Sequence, residues 1–211
     1  MNTACPTVAF TIGMSNAIDG PGYHVYQQAY ALEMTMDDEW PLNVIIMAPP
    51  HLIASMTQET DITSMGAIPG ASYTPGDGDY KQISTSDGRW VLARKSDDIS
   101  RILQEDLGVL LHIEDSNDIN GLPEFDELNV ANLIVAFQIN SLSTLDTARE
   151  TASAIKAKLA DRHLGLSQIL VSASFAHENL QEYASLSDVS GILLLDAHIG
   201  NVVELLRIMA G

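Results

Sequence analysis

A chain of 211 residues with 46% hydrophobic and 18% charged residues carries enough apolar surface to offset the entropy of ordering, which excludes a disordered protein and suits one domain over residues 1–211. Its 28 Asp and Glu against 10 Lys and Arg leave a net charge of -18, which argues against nucleic acid and an anionic membrane surface as partners, since both need clustered cations. Cys5 is the single cysteine, so an intrachain disulfide and a cysteine-based zinc cluster are excluded; with no leader-like start and no apolar run of about 18 residues, the expected location is the cytoplasm.

Short apolar runs separated by helical patterns mark β/α units around a parallel sheet buried on both faces. In chain order, strands are predicted at Val8–Ile12, Asn43–Ala48, Ile62–Ala67, Trp90–Ala93, Val109–Ile113, Leu133–Gln138, Gln168–Ala173 and Gly191–Leu195. Helical spacing is clearest at Tyr23–Met36, Thr144–Leu159, Ala176–Ser185 and Asn201–Met209. Thr144, ahead of Asp146 and Thr147, reads as a helix cap, and the helix it starts ends before Gly165. Residues 68–88 are rich in Gly, Pro, Ser and Asp, and residues 115–129 leave room for one short turn of helix.

Eight such units predict an α/β fold, a (β/α)8 barrel with shortened loops and trimmed helices, since the usual barrel has about 250 residues. The alternative is an open doubly wound sheet. Behind the first strand, Ile12-Gly13-Met14-Ser15-Asn16 offers one glycine, so the glycine-rich dinucleotide fingerprint is missing. Met14, Met34, Met36 and Met47 read as core filler, and Asp97-Asp98 and Glu105-Asp106 as solvated helix ends.

Residues in order along almost the whole chain follow the segments of one known enzyme family. Gln168-Ile-Leu-Val-Ser-Ala-Ser and, further on, Asp188-Val-Ser-Gly-Ile-Leu-Leu follow that family's Tyr-Gly-Gly-Ser-Val and Asp-Val-Asp-Gly-x-Leu-Val-Gly-Gly segments without gaps. Val8-Ala9 through Met14 stands for its first strand, and Val44-Ile-Ile-Met-Ala-Pro-Pro for its second. Met65-Gly-Ala67 looks like its Gly-Ala-Gln strand, Arg89-Trp-Val-Leu-Ala93 like its fourth strand, and Val135-Ala-Phe-Gln138 like Ala-Tyr-Glu-Pro. Ala71-Ser-Tyr-Thr-Pro-Gly76 resembles the loop that reaches into a partner subunit, which implies a homodimer through residues Ala71 to Gly76. Together these segments resemble triosephosphate isomerase.

The resemblance implies a barrel whose chemistry has been replaced. In that family a glutamate moves a proton while a neutral histidine polarises the carbonyl. The glutamate falls on Gln138, an amide that cannot accept a proton at neutral pH. The histidine falls on Arg94, or on Lys95 with one insertion, and the first strand's Asn and Lys fall on Thr11 and Gly13. The bare backbone that cradles phosphate falls on Ser172-Ala173-Ser174 and Leu195-Asp196, and the lid on Ile139–Asp146, without its Pro and Gly hinges or its tryptophan. These replacements imply a protein that has lost isomerase activity and serves in binding, regulation or structure. The alternative is a divergent isomerase of glyceraldehyde 3-phosphate and dihydroxyacetone phosphate, or another small-molecule enzyme at the same barrel mouth.

Ser172, Ser174, Asp196 and His198 are the candidates for binding a small anionic metabolite, and no cofactor is implied. Asp196 and His198 read either as a new dyad or, for Asp196, as a helix cap. Gln138 and Arg94 also read as polar residues that bond each other at the mouth. His112, beside Glu114 and Asp115 and near Asp118, reads as an isolated histidine or as part of a metal-ligand set; the irregular spacing favours the first.

Overall fold

The computed structural model describes residues 5–12, 27, 29–34, 41–73, 75, 80–94, 97–125, 130–140, 143–173 and 180–210. Among them, eight parallel strands close into a barrel in chain order: β1 (Thr7–Ile12), β2 (Asn43–Ala48), β3 (Ile68–Ala71), β4 (Trp90–Arg94), β5 (Gly108–Ile113), β6 (Leu133–Gln138), β7 (Gln168–Ala173) and β8 (Gly191–Ala197), which returns to pair with β1. Helices α1 (Ile53–Glu59), α2 (Tyr80–Thr85), α3 (Ile99–Gln104), α4 (Leu145–Asp161), α5 (Leu180–Ala184) and α6 (Ile199–Ala210) follow β2, β3, β4, β6, β7 and β8, and residues 29–33 are helical behind β1. Among the described residues no helix is long and apolar enough to cross a membrane.

The strands are apolar on both faces because each face is buried against something different. Val8, Phe10, Val44, Ile46, Val109 and Val171 point outward into a shell shared with helix residues such as Ile53, Ile155 and Leu205. Their neighbours Ala9, Ile45, Met47, Leu110, Ile134, Ala136, Leu170 and Leu193 point inward and form a second cluster with Ile68, Trp90, Leu92 and Leu195. The period of two along each strand produces this division.

Following the strand register, with the climb of about one residue per strand that barrel tilt imposes, sorts the inward residues into levels drawn from alternate strands. Thr7, Ile68, Gly108 and Gln168 form the floor, where Thr7 Oγ1 donates to Gln168 Oε1 across 2.7 Å. Above it, Trp90 lies over Gly108, where an added Cβ would come within 2.5 Å of the indole. Two apolar levels follow, the upper one made of Met47, Leu92, Ala136 and Leu193. Next comes a level with no hydrocarbon side chain, Thr11, Ser72, His112 and Ser172. Pro49, Arg94, Gln138 and Leu195 stand at the mouth.

Three expectations need correction. The third strand is Ile68–Ala71, not Ile62–Ala67: residues 62–66 form turns, closed by the Ala67 N–H donating to the Ile62 carbonyl at 2.9 Å. Gly70-Ala71 therefore occupies the strand position assigned to Gly66-Ala67, and Ala71 begins no loop. Residues 80–85, inside the Gly-, Pro-, Ser- and Asp-rich stretch where no clear helix was read, form α2. Met47 does fill the barrel, but Met34 is 70% exposed, while Met14 and Met36 lie outside the described residues.

Two helix starts conform to the chemistry of their sequences. Thr144 Oγ1 accepts from the Thr147 N–H, and Thr147 Oγ1 accepts from the Thr144 N–H, so the first turn of α4 is closed by two reciprocal bonds. Asp98 caps α3 by accepting from the Arg101 N–H at 3.2 Å.

Candidate functional site

The C-terminal ends of β1, β2, β3, β4 and β8 surround a cavity of about 300 Å3, lined by Thr11, Ile12, Pro49, Ser72, Tyr73, Leu92, Arg94 and Leu195. Leu92 belongs to the apolar level and forms its deepest part, while Thr11 and Ser72 belong to the polar level above. Arg94 is exposed at the rim and is the one cationic side chain among the described residues of the lining. Its backbone N–H donates to the Asp97 carboxylate at 2.7 Å, which fixes the turn leaving β4. No described lining residue is a carboxylate.

The polar level beneath the mouth is not internally satisfied. Ser172 is fully buried, and its Oγ finds no hydrogen-bond partner among the described residues; nor does His112 Nε2, which is also buried. Orphaned polar atoms inside a fold cost roughly 1–3 kcal/mol each and ordinarily mark a place that a water or a ligand completes. Burial, followed by the guanidinium of Arg94, holds the His112 imidazole below its usual 6.5, against a weaker upward pull from Glu114. His112 is thus a neutral imidazole, in register with Arg94 on the adjacent strand.

The sequence-predicted residues divide accordingly. Thr11 and Arg94 share the cavity; Ser172 lies one strand beyond Leu195, on the same polar level as Thr11. Gln138 ends β6, exposed and in register with Ser172, and is not part of the lining. The expected bond between Gln138 and Arg94 is not found. Gly13, Lys95 and Ser174 lie outside the described residues.

Asp196 and His198, read from sequence as a dyad or, for Asp196, as a helix cap, stand on either side of the end of β8, which runs through Asp196 to Ala197. The residue at the helix start is His198, which is exposed and accepts from the Gly200 N–H through Nδ1 at 3.3 Å. A sequence reading looks for Asp or Ser at that position and passes over a histidine.

The acidic residues around His112 have a local purpose. Asp118 Oδ2 accepts from the backbone N–H groups of Glu114 and Asp115, both at 3.3 Å, and Asp115 Oδ1 accepts from the Asn117 N–H at 2.6 Å. They close the 3-10 turn Ser116–Gly121 as a capping box. Among the described residues no group of three or more His, Cys, Asp or Glu is placed to hold a metal ion.

The segment after β6, expected to replace a closing lid, is tied down at both ends. The Ile139 N–H donates to the Ser172 carbonyl at 2.9 Å and its side chain is buried. Asn140 and Ser143 close a turn through two bonds, and Tyr183 Oη donates to the Ser143 carbonyl at 2.8 Å. Thr144 then caps α4.

Ser72, Pro49 and Leu92 were not singled out from sequence, and Tyr73 was read only as part of the 71–76 segment facing a partner subunit, not as a residue of the cavity. The period of two already places Leu92 inside the barrel with Trp90 on β4, and would have placed Ser72 there had β3 been positioned correctly.

Among solved structures, the chain is similar to triosephosphate isomerase from Bartonella henselae, with a TM-score of 0.73 over 97% of this chain and 98% of that one, at 15% identity. That likeness establishes the fold. No protein-family model and no curated protein sequence matches the chain. The closed barrel agrees with the resemblance read from residues, and the position of Gly70-Ala71 amends that reading at the third strand.

Proposed function

We propose that this chain, a single domain over residues 1–211, has given up triose phosphate isomerisation and binds a small molecule at its barrel mouth, in a binding or regulatory role in the cytoplasm. Gln138 carries this reading. The end of β6, where the resemblance puts a glutamate base, bears an amide outside the cavity, and no described lining residue supplies a carboxylate in its place.

A general base contributes about 10^2 to 10^4 in rate and an electrostatic donor about 10^2 to 10^3, so replacing both leaves little of the reaction. Leu195 adds to this: its side chain lines the cavity where the resemblance puts glycine backbone approaching a phosphate. Tyr73, 46% exposed beside the cavity, is the described residue of the 71–76 segment best placed to meet a second copy of the chain.

The test is a coupled assay of glyceraldehyde 3-phosphate and dihydroxyacetone phosphate interconversion. Purified protein should show no rate above a Gln138→Ala control; turnover that disappears in that control sinks the reading.

One observation favours a second reading, an enzyme of another class at the same mouth. His112 is neutral and its Nε2 has no partner among the described residues, which is the state a proton-transferring imidazole requires. Activity against any small-molecule panel that falls at least about 10^2-fold in His112→Gln would establish it.

A further inference from the structure

We propose that the mouth takes a small monocarboxylate with a compact apolar body, its charge held by Arg94 and its body packed against Pro49, Leu92 and Leu195. This inference rests on the binding role proposed for the barrel mouth and names the chemistry of the ligand.

The cavity has one charged recognition element. Arg94 presents a planar fork of N–H donors that matches a carboxylate through two parallel bonds, and no described side chain pairs with its guanidinium. The polar level below adds hydroxyls but no charge: Ser72 and Thr11 are neutral, and His112 is kept neutral by burial and by Arg94 itself. Among the described residues the site therefore offers a single positive charge, the complement of a singly charged anion.

A phosphate dianion is a poorer fit. Binding it without a second cation calls for several backbone N–H groups converging on one point, and Leu195 occupies part of that space with hydrocarbon. The net charge of -18 also repels a dianion more than a monoanion. The remaining walls are Ile12, Pro49, Leu92 and Leu195, which are apolar, and Tyr73, an aromatic ring with one hydroxyl, so the part of the ligand away from its charge is mainly hydrocarbon. A volume of about 300 Å3 is at the lower end for ligand cavities, which limits that body to a short branched chain or one ring.

Titration calorimetry and thermal melting of the full chain test this with three probes of similar size: 3-methylbutanoate, its uncharged amide 3-methylbutanamide, and methyl phosphate. The carboxylate should bind at least about tenfold tighter than the amide and raise the melting temperature. Arg94→Gln should erase the tenfold difference while leaving the melting temperature of the unliganded protein unchanged, since the side chain is exposed. Arg94→Lys should keep part of it, because the charge stays and the fork is lost. Equal binding of carboxylate and amide, tighter binding of methyl phosphate, or no response to any probe at roughly 20 mM overturns the proposal. Those results leave the loss of isomerisation standing. Triose phosphate turnover would instead remove the reading beneath it.

Discussion

Arg94 and His112 are register partners on adjacent strands, and only the first is charged at neutral pH. Burial disfavours the imidazolium most, and the neighbouring guanidinium adds to the effect. The unfolded chain, free of both, takes up a proton near 6.5 while the folded chain resists it.

Stability should therefore decline with acid. A folded-state pKa below the unfolded value means that the unfolded state binds more protons as pH falls from 6.5 through the folded pKa; the contribution of His112 is intact above 6.5 and is lost across that window. Denaturant midpoints measured from pH 7.5 to 4.5 should fall more steeply in the native protein than in His112→Gln. In NMR titrations Arg94→Gln should move the His112 midpoint upward but not back to 6.5, because burial, the larger cause, remains.

The barrel floor makes a second prediction. Gly108 leaves the space that the Trp90 indole fills, and a methyl group there would meet ring carbons at 2.5 and 2.7 Å. Gly108→Ala should cost about 1–3 kcal/mol in urea unfolding, with a changed Trp90 environment visible in near-ultraviolet circular dichroism.

At the start of α4, Thr144→Ala removes one half of a reciprocal cap and leaves the Thr147 N–H without its side-chain acceptor. The expected loss is about 1 kcal/mol. Thr144→Ser, which keeps the hydroxyl, should recover most of it in the same unfolding measurement.

The other end of α4 holds a neighbouring turn in place. Arg162 donates to the carbonyls of Leu122 at 2.6 Å and Pro123 at 3.0 Å, and Lys158 donates to Asn117 Oδ1 at 2.6 Å. Arg162→Met should destabilise the fold by about 1.5–3 kcal/mol. Amide hydrogen exchange should rise first in residues 116–122, ahead of the strands.

The strands were legible where an apolar run had no competitor. Asn43–Ala48, Leu133–Gln138 and Gln168–Ala173 carry the bounds read from sequence. β3 was misplaced because Pro69-Gly70 reads as a turn, whereas Gly70 is required inside the sheet: an added Cβ would lie 2.6 Å from Met47 Sδ and 2.8 Å from the Trp90 carbonyl. Ile62 and Ala67, which imitate a strand, open and close the turn ahead of β3 and dip into the outer shell.

The candidate site was half legible. Thr11, Arg94 and Ser172 were picked by likeness to a known family, and all three lie at the mouth or on the level just below it. The place of His112 depended on something the sequence carries but motif reading ignores. Leu110 and His112 are two residues apart on one strand, so a buried leucine inside the barrel brings the histidine in with it. The use of Asp118 and His198 for backbone N–H groups needed coordinates, because capping by these residues depends on where the chain turns.

The apolar level of Met47, Leu92, Ala136 and Leu193 insulates the two hydrogen-bonding ends of the bore from each other. Whatever enters from the top must leave by the same door, since hydrocarbon bars transit to the Thr7–Gln168 end. It also separates mutational fates: residues above the seal can drift toward a new ligand one at a time, while the packing that keeps the barrel closed is untouched.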